Sequence, residues 1–149
     1  MRIDLRRAAL LLAGLWAGVI LGIAVIGAPA SFAKAPRDVA GQVAGQMFAQ
    51  EAYLGLAVAL ILLMVIRRHT RDDVEAGQGS ALSANVLLVL GALFCTVLGY
   101  FAIQPMMAAA KAGQGALSFG ALHGISAVFF LLKGLLILAL AWRLSAARG

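Results

Sequence analysis

His123, Ser126 and Lys133 interrupt an otherwise apolar stretch, Ser126 lying three positions and Lys133 ten positions beyond His123. On a helix turning 100° per residue, these three and Phe130 fall within about 80° of arc. One face would then offer an imidazole, a hydroxyl and an ammonium. That set can bind a metal, hydrogen-bond a polar group or neutralise an acid. Glu51, Tyr100 and Gln104 are further polar groups set in apolar surroundings. If these stretches cross a membrane, each ionisable group costs about 2.5 kcal/mol or more at depth, so it needs a partner or a function. Counting 1.5 Å per residue from the expected cytoplasmic helix ends puts Glu51 and Tyr100 about 24 Å up, Ser126 about 25 Å, and Gln104 and His123 about 30 Å. Lys133 comes out lower, at about 15 Å, level with Cys95 and Thr96. We therefore expect an outward-facing pocket in which Glu51 faces His123 and Tyr100. In the plainer alternative Glu51 is a wet interfacial residue, His123 a hydrogen-bonded bundle residue, and Lys133 snorkels along its aliphatic stem.

Metal and cofactor chemistry finds little support in the spacing. His123, Cys95 and Met106 are a soft ligand set that would suit Cu(I), but they are scattered and match no ligand motif. The second histidine, His69, lies among charged residues, so a bis-histidine haem within the spans is excluded. No phosphate loop, dinucleotide fingerprint, nucleophile elbow or zincin motif is present, and no cofactor is assigned.

The elements that must carry these residues follow from composition. The chain is 63% hydrophobic and 12% charged, with mean hydropathy +0.98, whereas soluble domains are about a quarter charged. Lipid is the solvent this composition suits. Spans are expected at about 8–30, 43–66, 84–104 and 119–142, with a charged loop over 67–83. Each is close to the roughly 20 residues that a helix needs to cross. Strands are disfavoured because no period-2 alternation appears and unpaired backbone in hydrocarbon is costly. Pro29 is expected to break or bend the outer end of the first span, and Pro105 to stop the third. The single cysteine excludes an internal disulfide.

Arginine and lysine set the orientation. Arg2, Arg6, Arg7, Arg67, Arg68, Arg71, Arg143 and Arg148 flank one side, against Lys34, Arg37 and Lys111 on the other. The positive-inside rule then places both termini in the cytoplasm. The net charge of +6 records that orientation. Nucleic acid is not an expected partner, because no basic surface is interleaved with aromatics. A cleaved export signal after Ala33 is disfavoured, since the apolar run is about twice the length of a signal-peptide core.

Gly14, Gly18 and Gly22 repeat every four residues in the first span, and Gly41 and Gly45 in the second. Such rows let helix backbones approach closely in lipid. The expected use is packing within the bundle, or else a homo-oligomer face.

The stretches GLWAGVILGIAVIGAPASFA (14–33), AGQVAGQMF (40–48) and LHGISAVFFL (122–131) resemble domain-of-unknown-function family 4149, whose eukaryotic relatives are the transmembrane protein 205-like proteins. Ala28, Pro29 and Phe32, then Ala40, Gly41, Gly45 and Phe48, then Leu122, His123 and Ser126 match the family pattern. The resemblance implies four spans over nearly the whole chain and retention of residues 28–33. It implies little about activity: the bacterial members have no assigned function, and the eukaryotic ones are linked to drug and metal handling. A weaker likeness is to four-helix membrane proteins of the copper-resistance and protoporphyrinogen-oxidase type. Here, however, His123 and Lys133 share one helix and the Trp16 helix has no histidine.

The expectation is an all-α, four-helix inner-membrane bundle with both termini inside. Its leading function is a non-enzymatic small-ligand or metal-handling protein, or an accessory subunit of a larger membrane complex. The alternative is a haem- or porphyrin-linked redox enzyme using His123 and Lys133. Expected partners are the lipid bilayer and a second copy or larger complex.

Overall fold

The computed structural model describes residues 4–75, 77 and 82–146. They form four long helices: α1 (Leu5–Lys34), α2 (Arg37–Glu75), α3 (Ala84–Lys111) and α4 (Phe119–Ala146). Each contains a stretch long and apolar enough to cross a membrane. α1 packs against α2 and α4, and α3 packs against the same two, which gives an up-down-up-down bundle. Polar contacts tie one end together. Arg6 donates to the Leu144 carbonyl, and Arg143 Nε donates to Asn85 Oδ1 at 3.0 Å. The start of α1, the start of α3 and the end of α4 therefore share that end.

The core fills the half of the bundle nearest this end. Ala9, Ala13, Trp16, Ala17 and Ile20 form the buried face of α1 and meet Ala59 and Leu62 of α2, Val89 and Ala92 of α3, and Ile137 and Leu140 of α4. Alanines let the backbones come close, and Trp16 fills the space left by Gly55, where a Cβ would stand 3.0 Å from the indole. In the far half, close backbone packing is mainly between α1 and α2 and between α3 and α4. Ring contacts bridge these pairs: Phe48 with Phe130 at 5.0 Å, and Tyr53 with Phe101 at 5.3 Å.

Neither proline ends its helix. α1 continues through Pro29 to Lys34, and α3 continues through Pro105 to Lys111. Each proline is preceded by a six-residue π-helical segment, Gly22–Gly27 in α1 and Val97–Ala102 in α3. Proline lacks the N–H that an α-turn uses, and its ring collides with the carbonyl four residues back. A locally widened turn relieves both problems, and side-chain hydroxyls donate to carbonyls of the widened segments. Ser31 Oγ donates to the Gly27 carbonyl at 2.8 Å, and Ser126 Oγ of α4 donates to the Gly99 carbonyl of α3 at 2.6 Å.

Two other expectations are corrected. α2 runs on to Glu75, well into the segment expected to be a loop from residue 67. Its 39 residues make a rod about 58 Å long, far longer than a hydrocarbon core of about 30 Å. Of the two uses expected for Gly14, Gly18, Gly22, Gly41 and Gly45, close packing within the bundle is not seen: a Cβ on any of them would meet nothing within 4 Å. The alanine and Trp16 face of α1 packs inward instead.

Candidate functional site

Glu51 and Lys133 meet inside the bundle. Lys133 Nζ lies 2.5 Å from Glu51 Oε2, and both side chains are almost wholly buried, at 3% and 1% exposure. Trp16 Nε1 donates to the other carboxylate oxygen, Oε1, at 3.0 Å. The ammonium also sits 4.8 Å from the Phe130 ring centroid, a cation–π distance. Three helices thus contribute to one cluster: α1 the indole N–H, α2 the carboxylate and α4 the ammonium. Cys95 of α3 is also buried. Thr96 directs its hydroxyl back to the Ala92 carbonyl of its own helix and takes no part in the cluster.

The cause of this arrangement is the solvent. A lone charge in hydrocarbon is costly, and pairing with satisfied lone pairs is what makes it tolerable. Among the described residues, no buried side-chain nitrogen or oxygen lacks a hydrogen-bond partner. Trp16 is the member that sequence reasoning missed. Its signal was present: a tryptophan in register with Ala9, Ala13, Ala17 and Ile20 must bury its ring, and a buried indole N–H needs an acceptor.

The expected grouping of Glu51 with His123 and Tyr100 does not occur. His123 is exposed near the start of α4 and stacks on Phe119, with ring centroids 6.0 Å apart. Tyr100 is half-buried and packs edge-on against Phe101 at 5.1 Å. Gln104 is half-buried one turn further along α3, and Ser126 holds the α3 backbone. The error lay in the height scale. Glu51 stands 16 residues from Arg67 and Lys133 ten from Arg143, so their meeting sets those two arginines about 9 Å apart in height. α2 simply does not end at Arg67. Nor does Lys133 snorkel, because Glu51 holds its ammonium inside.

The soft metal candidates are not gathered either. Cys95 is in the interior of α3, Met106 is largely exposed, and His123 is against Phe119. Among the described residues, no three His, Cys, Asp or Glu side chains are grouped to hold a metal ion. A porphyrin propionate at Lys133 would have to displace Glu51.

Trp16→Phe should isolate the indole's contribution. It keeps an aromatic ring beside Gly55 and removes one hydrogen bond to a charged group, so a loss of about 1.5–3 kcal/mol is expected. Denaturant unfolding in defined micelles would read it; an unchanged midpoint would mean that the Trp16–Glu51 bond carries no stability.

A family model described as a domain of unknown function (DUF4149) matches residues 11–116. The match takes in Trp16, Glu51 and Cys95 but stops short of α4, so Leu122, His123, Ser126 and Lys133 lie beyond it. No curated protein and no solved structure matches the chain.

Proposed function

The chain belongs to the DUF4149 family of domains of unknown function, and from that premise we propose that it is a non-enzymatic, multi-pass accessory subunit of the bacterial inner membrane. In this reading it packs the glycine face of α1 against a helix of a larger complex. The carrying observation is that Gly14 and Gly18 stand open to the outside of the bundle. The ionisable groups within, by contrast, are spent on each other. Helix association in lipid draws on close backbone approach, which small residues permit. A transmembrane helix with small residues of its own fits such a face. The eight basic residues flanking one end against three at the other support cytoplasmic termini. The small-ligand and metal-handling reading has less to draw on, because neither His123 nor Lys133 is free inside a cavity with Glu51.

Gly18→Leu tests the proposal. The isolated protein should keep its stability or gain slightly, since leucine is the better helix former by about 0.5–1 kcal/mol. In native membranes, the assembly should migrate at lower mass on a native gel. Unchanged assembly size would overturn the proposal, as would a loss of stability in the isolated protein, which would place this face inside the fold. If the purified wild-type chain already runs at the assembled mass, the partner is a second copy.

A further inference from the structure

At the end of the bundle where α1 begins and α4 finishes, Asp4, Arg6, Arg7, Leu10 and Leu144 line an open cavity of about 290 Å³. The accessory-subunit reading makes no use of it. Asp4 caps α1, with Oδ1 accepting from the backbone N–H groups of Arg6 and Arg7. Arg7 Nε lies 3.2 Å from Asp4 Oδ2. Arg6 reaches across to α4 and donates from Nε and Nη2 to the Leu144 carbonyl at 3.1 and 2.7 Å. A guanidinium has five N–H donors, so these contacts leave most of the donors of both arginines for other partners. Leu10 and Leu144 complete the wall and join it to the hydrophobic core, while Leu11, the next residue of α1, is exposed on the outer surface.

The charge set is what selects a ligand. Two guanidiniums in a cleft between transmembrane helices suit a phosphate, which they can grip in bidentate fashion. A purely anionic headgroup would leave unused the remaining acceptor capacity of the Asp4 carboxylate, which is 51% exposed and shares Oδ2 with Arg7. A headgroup with both a phosphate and a primary ammonium would answer all three side chains, the ammonium donating to Asp4. An acyl chain could then run from Arg7 along the exposed Leu11 and Leu15, one and two turns further on α1. We propose that this cavity binds a zwitterionic aminophospholipid, with its phosphate on Arg6 and Arg7 and its ammonium on Asp4. The proposal rests on the chain being embedded in a membrane; it does not depend on the partner of α1.

The test uses the full chain, delipidated in mild detergent and examined by native mass spectrometry. Phosphatidylethanolamine, phosphatidylcholine and phosphatidylglycerol compete at equal concentration, with soluble phosphoethanolamine as a further competitor. Phosphatidylcholine has the same phosphate but a quaternary ammonium with no N–H, and phosphatidylglycerol has no cation. Phosphatidylethanolamine should be retained about tenfold over both, the scale of one charge-assisted hydrogen bond. Asp4→Asn keeps a good helix cap but removes the charge, so the preference over phosphatidylglycerol should vanish. Arg7→Gln alters a side chain that is 80% exposed and should lower retention of phosphatidylethanolamine. Equal retention of the ethanolamine and choline lipids would overturn the proposal, as would Asp4→Asn with unchanged selectivity. Displacement by equimolar phosphoethanolamine would overturn the lipid as the source of this headgroup chemistry. Release of the protein from membranes by alkaline carbonate would overturn the embedding itself, a result separate from any loss of selectivity.

Discussion

Glu51→Leu is expected to destabilise the bundle by about 3–5 kcal/mol, the cost of leaving one member of a buried ion pair without its partner. Lys133 is 3% exposed, and with the carboxylate gone its ammonium keeps only the Phe130 ring. Lys133→Met should cost a similar amount, because the Glu51 charge would then be held by the Trp16 N–H alone. The informative variant combines the two. Replacing a buried ion pair with apolar groups of similar size is often neutral or stabilising, so Glu51→Leu with Lys133→Met should recover most of either loss. It should stop short of full recovery, since the Trp16 N–H loses its acceptor at about 1–3 kcal/mol. Neutral hydrogen bonds between transmembrane helices average only about 0.6 kcal/mol in double-mutant cycles, so a coupling of several kcal/mol would be the mark of charge. Unfolding of all three variants in one micelle composition would decide it. A double variant no more stable than the singles would sink the idea that pairing is what these residues do.

Gly99→Ala should cost about 1–3 kcal/mol, and toward the upper end of that overpacking range. A Cβ at residue 99 would stand 2.5 Å from Phe129 Cβ. That atom is fixed to the α4 backbone, so no rotamer change clears it and the helices must separate. Separation also draws the Gly99 carbonyl away from the Ser126 hydroxyl, which removes a donor from a π-helical turn already disturbed by Pro105. Gly14→Ala is the control, because nothing lies within 4 Å of its Cβ and alanine should add up to about 1 kcal/mol of helix propensity. Thermal melts of the two variants should therefore shift in opposite directions. Equal shifts would mean that α3 and α4 are not in contact at Gly99.

Much of the architecture was legible because hydrocarbon leaves few choices. Apolar runs of the right length bounded by charge gave all four helices. What the sequence could not convey was height. Arg67 reads as a membrane boundary, yet α2 runs through it to Glu75, and the misplaced origin paired Glu51 with the wrong residues. The prolines misled for a related reason. A soluble helix meets Pro29 or Pro105 by ending, but in lipid the backbone has no water to turn to, so the turn widens and continues. Lys133 and Glu51 were each recognisable as costly. Their pairing needed the register between α2 and α4, which no single-chain periodicity encodes. The glycine rows were visible, but the face they occupy depends on Trp16 and the alanines claiming the interior.

The Glu51–Lys133 pair also bears on how the chain is made. Its members are 82 residues apart, so at about 5–20 residues per second the carboxylate emerges roughly 4–16 s before its counter-ion exists. In that interval the only partner already synthesised is Trp16. The second helix therefore enters the bilayer, or waits at the insertion machinery, carrying a debt that only the fourth helix can clear. Completion of the buried pair is thus late in synthesis: a chain stopped after α3 holds Glu51 and its indole partner but not its lysine.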